Sequence, residues 1–181
     1  MIIASQKRKE NIAEYLLYMW QVEDLIRANS FDIEKLKTNV IDRFPIDEKQ
    51  KKEMTEWYES LIEMMRREGV MEKGHIQLNK NILSSIVDLH QSLLNDPKFP
   101  ASTAEFYKTL PFIVELRSKA GEVKPGEIES CFNALYGMLM LRLGAKEITP
   151  ETETAVKQIS RFIAILAKNF RLYEEGLLEK E

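Results

Sequence analysis

Two histidines, one cysteine and a carboxylate set into an apolar helical flank are the side chains through which this 181-residue chain would do chemistry. His75 follows Glu72 at the Glu-x-x-His spacing, which on a helix puts both groups on one face and supplies two ligands of a carboxylate-bridged di-metal bundle. A bundle of that kind needs a second pair, but Val87 stands three positions before His90. Gly74 also places the first pair at a helix start rather than along a face. Cys131 would need an accessible, electropositive setting to act as a nucleophile, and its neighbours Phe132 and Leu135 describe a packed helix instead. It reads as a small buried hydrophobe. No glycine-rich phosphate loop and no nucleophile motif is present. The reading therefore assigns no catalytic residue, no cofactor and no metal, and leans away from an enzyme.

The densest mixture of large and polar groups runs from Tyr15 to Arg27. Glu23 follows Leu16, Met19 and Trp20 on one helical flank, and Arg27 comes four residues later, where it can pair with Glu23. The simplest reading is an ion pair bordering a core. The alternative is a small-molecule pocket between the first, fourth and sixth helices, in which Trp20, Glu23 and Arg27 join His90 and Tyr136 to orient a polar ligand. This segment, with the overall helix layout, resembles an uncharacterised family of small helical proteins from Bacteroidetes, classed as a domain of unknown function. The resemblance covers nearly the whole chain. It implies a bacterial cytoplasmic protein and carries over no activity or catalytic residue.

Positioning these groups falls to helices. Val156, Ile159, Ile163, Leu166, Phe170, Tyr173 and Leu177 recur at alternating steps of three and four, the seam of a helix packed on other helices. Proline, glycine and capping residues divide the chain into about seven such elements. The first spans Ile3 to Ala28; the second starts after the N-cap Asp32 and runs to Arg43, before Pro45. Asp47 and Gln50 form a capping box for the third, which ends at Gly69. The fourth begins between Met71 and His75 and continues to Asn95. The fifth covers Ser102 to Ala120, with a kink or break expected beside Leu110 because Pro111 removes a backbone donor. The sixth, Gly126 to Leu143, is apolar around most of its circumference and belongs near the centre. Gly137 in its interior suggests another backbone crossing close by. Thr149-Pro150 opens the seventh, which ends near Gly176.

The result is an all-α protein, a globular antiparallel bundle forming one domain over residues 1–181. Its composition is 44% hydrophobic and 30% charged, so the chain can bury a core. Residues 1–90 carry 14 Lys+Arg against 16 Asp+Glu, and residues 91–181 carry 12 against 13. An even balance lacks the basic footprint of a nucleic-acid binder, so no nucleic-acid partner is expected. The apolar run from Ala134 to Leu141 is far below the roughly 20 residues needed to cross a bilayer, so no membrane partner is expected either. With Met1-Ile2-Ile3-Ala4 too short for a secretory core, a cytoplasmic location follows. Met54, Met64, Met65, Met138 and Met140 enrich apolar faces where no catalytic set is legible. The leading expectation is a protein that acts by association, as a homodimer or with a protein partner that presents a helix.

Overall fold

Asn11 divides the first helical stretch in two: its Oδ1 accepts a hydrogen bond from the backbone N–H of Ala13 at 3.0 Å and starts a new helix. The computed structural model describes residues 2–122 and 124–178. Its helices are α1 (Ile2–Glu10), α2 (Ile12–Ala28), α3 (Ile33–Asn39), α4 (Glu48–Arg67), α5 (Gln77–Asn95), α6 (Pro100–Lys119), α7 (Glu127–Leu143) and α8 (Pro150–Glu174), with a 3₁₀ turn at Ile41–Arg43. No strand occurs among the described residues. The expected seven helices become eight because Asn11 splits the first. The expected second helix closes early, at Asn39, and tightens into the 3₁₀ turn.

The capping signals are where the sequence places them. Asp32 accepts from the N–H groups of Glu34 and Lys35, Asp47 and Gln50 form the reciprocal capping box, and Thr149 accepts from Thr152. Two compact units result, one from residues 1–9 and 14–82, the other from residues 10–13 and 83–181.

In the first unit α2 buries Leu16, Met19, Trp20, Val22 and Ile26, and α4 buries Met54, Tyr58, Leu61, Ile62 and Met65. Chain reversal after α2 passes through Ser30 and Phe31, both with φ near +58°, a conformation in which side chains are strained. That turn is held by Phe31 N–H donating to the Ile26 carbonyl and by Arg66 donating to the Phe31 carbonyl at 3.1 Å.

In the second unit α6 packs against α7 and α8. The α8 stripe is buried from Ile159 through Ile163, Leu166 and Phe170, while Tyr173 and Leu177 stand in solvent beyond it. Cys131 is buried, and burial pushes its thiol up to about 12. Of the kink or break expected beside Leu110, the break does not occur: α6 runs through Pro111 from Pro100 to Lys119. Pro111 is exposed, so water can take the carbonyl that its missing N–H leaves unbonded. Gly137 also departs from expectation: a Cβ there would meet nothing within 4 Å, so no backbone of this chain crosses it. Of the five methionines, Met54, Met65 and Met138 are buried and the other two half-buried, which makes them core filler.

Candidate functional site

The most developed polar centre lies in the first unit, around Glu23. Its side chain is only 1% exposed, so its oxygens must find protein donors. Oε1 accepts from the Ile76 backbone N–H at 3.0 Å and from Asn79 Nδ2 at 2.8 Å, and Oε2 lies 2.5 Å from His75 Nδ1. His75 and Ile76 arrive on the segment between α4 and α5, and Asn79 lies in the first turn of α5. Gly74, at φ +86°, provides a left-handed turn there that an L side chain rarely adopts. Two carboxylates then sit at the start of α5, Glu23 on Ile76 and Asn79, and Glu68 on the Gln77 N–H at 2.5 Å, where the helix dipole favours negative charge.

Trp20 lies one turn before Glu23 and stacks on the His75 ring, with centroids 4.3 Å apart and planes 11° from parallel. Arg27 does not pair with Glu23. It binds Asp24 at 2.8 Å, and its other guanidinium nitrogen donates to the Val70 carbonyl at 3.0 Å and to the Gly74 carbonyl. Three side chains of α2, Trp20, Glu23 and Arg27, therefore clamp residues 70–76. The chemical result is an imidazole fixed at Nδ1 and on one face, 30% exposed, with Nε2 as its remaining valence. Such a ring can relay a proton or offer one ligand. Among the described residues no three of His, Cys, Asp and Glu are grouped to hold a metal, and Glu72 and His75 both precede α5 rather than sharing a helix face.

The other residues of the sequence-derived pocket belong to the second unit. His90 is buried against Phe106 and Phe162, with ring centroids 4.7 and 5.5 Å away, and burial drives its pKa down to about 4. Its Nε2 has no hydrogen-bond partner among the described residues. Tyr136 is half-buried on α7. Thus Trp20, Glu23 and Arg27 converge, with His75 and Asn79 as additional members. The sequence offers His75 as a metal ligand or as a base for Cys131, and it does not single out Asn79. The one signal for them was that Glu23, on an apolar flank, would need buried donors.

Two surfaces of the second unit complete the inventory. A groove of about 590 Å³ has Phe112, Leu116, Ala134 and Ile159 among its lining residues. Its polar rim is already self-satisfied: Lys119 pairs with Glu115 at 2.6 Å, and Thr149 with Thr152 at 3.1 Å. The second surface is the outer side of α6. While Phe106, Thr109 and Ile113 are buried, the line Ala104, Tyr107, Pro111 and Val114 faces solvent, Tyr107 at 62% and Val114 at 57% exposure. The steps of three, four and three are those of a coiled-coil seam.

A family model described as a domain of unknown function, DUF4924, matches residues 1–176. Neither a curated protein nor a solved structure matches the chain. No helix among the described residues is long and apolar enough to cross a membrane.

Proposed function

The chain belongs to the DUF4924 family of proteins with unknown function, and we propose that it acts by association, taking a partner helix against the outer face of α6. The observation that carries this reading is the exposed line Ala104, Tyr107, Pro111 and Val114 on a helix whose opposite side is already buried. An isolated exposed apolar residue needs no explanation; a line at seam spacing does, because adjacent apolar groups on a helix are covered most economically by another helix. Tyrosine supports this role, since it supplies large contact area at low entropic cost. Met54, Met65 and Met138 lie in the core and do not contribute. The Glu23 centre serves as a clamp on residues 70–76: its carboxylate already holds three protein partners.

The direct test places a photo-crosslinking amino acid at Tyr107 and, separately, at Lys49, an exposed position on α4. Irradiation of the purified chain and of cell extract should give discrete protein adducts from position 107 and not from position 49. Equal labelling from both positions, or no adduct from either, overturns the reading.

A further inference from the structure

The charges beside the α6 seam select the partner and its direction. Lys108 follows Tyr107 and Glu115 follows Val114, so both charges lie on the same flank of the seam, seven residues or about 10 Å apart along the axis. Both are largely open, with side chains 67% and 61% exposed. The opposite flank offers Thr103, Leu110 and Arg117, with no acid among them.

Resting on the association reading above, we infer that the partner is a second copy of this chain, bound through antiparallel α6 helices about a two-fold axis passing at Pro111. Symmetry supplies the argument. A two-fold perpendicular to both helices keeps the same flank facing its own counterpart, so each charge meets the opposite one. Lys108 lies three residues before Pro111 and Glu115 four after, so turning one helix over brings Lys108 of each copy to the height of the partner's Glu115. The same axis brings Tyr107, four residues before Pro111, against the partner's Val114, three after. One placement satisfies both pairings, each occurring twice. A parallel pair would set this flank against Thr103, Leu110 and Arg117 of the other copy, leaving Lys108 with no acid opposite it and Glu115 facing only an arginine already bonded to the Pro125 carbonyl. Pro111 sits at the axis, where its compact ring brings no polar side chain into the contact.

Lys108 also lies 3.4 Å from Glu105, and Glu115 lies 2.6 Å from Lys119. The Glu115–Lys119 pair is solvent-exposed and worth little; the Lys108–Glu105 pair is half-buried, but Glu105 also accepts from Gln158 at 2.8 Å and so keeps a partner when Lys108 turns to the interface. A contact through one helix is at the small end of specific interfaces, so the dimer's dissociation constant lies at micromolar or above and the dimer comes apart on dilution.

Sedimentation equilibrium of the full chain from about 10 μM to 1 mM tests this, with Lys108→Glu, Glu115→Lys and the double reversal compared. Each single reversal creates two like-charge contacts per dimer and should weaken association roughly tenfold, while the double reversal restores it to within about threefold of the wild type. Far-UV circular dichroism confirms that each variant keeps its helices. If the chain dimerises but the double reversal does not recover what the singles lose, the antiparallel arrangement is wrong while the association reading stands. If the mass stays monomeric yet position 107 crosslinks to another protein, the second-copy inference falls and the association reading again stands. A monomer with no crosslink ends both.

Discussion

Glu23 and His90 show how burial sets the consequence of a single side chain. Glu23 satisfies one backbone donor and two side chains, so Glu23→Ala strands Asn79 and the Ile76 N–H in the interior. We expect a loss of about 3 kcal/mol of unfolding free energy by chemical denaturation, with Glu23→Gln costing about half as much because its amide oxygen still accepts both N–H bonds. A loss below about 0.5 kcal/mol would show that the clamp contributes nothing. His90 is the inverse case, a buried ring whose neutral form is favoured. With its pKa held at about 4 in the folded chain and near the ordinary 6.5 when unfolded, protons bind the unfolded state first as pH falls. Stability is therefore unaffected above pH 6.5 and drops by about 3 kcal/mol between pH 6.5 and 4. His90→Leu should remove that slope and cost little at pH 7.5, since Nε2 gives up no bond. Glu105 acts in a lower window. Its carboxyl is held below the usual range, chiefly by the Gln158 amide, so its contribution disappears only as pH falls below the ordinary carboxylate pKa.

Helices follow their sequence signals where the signal is local and depart from them where it is not. The caps at Asp32, Asp47 and Thr149, and the α8 stripe from Ile159 to Phe170, were legible because a side chain and its backbone partner, or a periodic face, lie within a few residues. The break at Asn11 escaped notice because apolar spacing continues across it and one Asx hydrogen bond decides the matter. The Glu23 partners escaped for the opposite reason: His75 and Asn79 lie 52 and 56 residues away, beyond any periodicity. Arg27, four residues from Glu23, was the natural local partner, but backbone carbonyls of the returning chain claim it. Gly137 shows an element whose cost is not repaid within the chain. Nothing crowds it, so Gly137→Ala should raise unfolding free energy by about 0.5 to 1 kcal/mol. A decrease would mean that a close contact occupies that position.

At the scale of the molecule, an all-helical fold buries its core side chains and, among the described residues, leaves an apolar line exposed along the outer side of α6. That line was hidden in the sequence, because the α6 segment is apolar on two sides and its spacing alone cannot say which side is inward. Burial separates them: Phe106 and Ile113 inward, Tyr107 and Val114 outward. We propose that a second copy covers this outer face. The most direct measurement of this is the weight-average mass of the wild type and of Tyr107→Glu over the same concentration range. The wild type should rise from 21.1 kDa toward twice that value, while Tyr107→Glu stays at 21.1 kDa throughout. A wild type that remains at 21.1 kDa up to 1 mM, or a Tyr107→Glu chain that dimerises equally well, would contradict it.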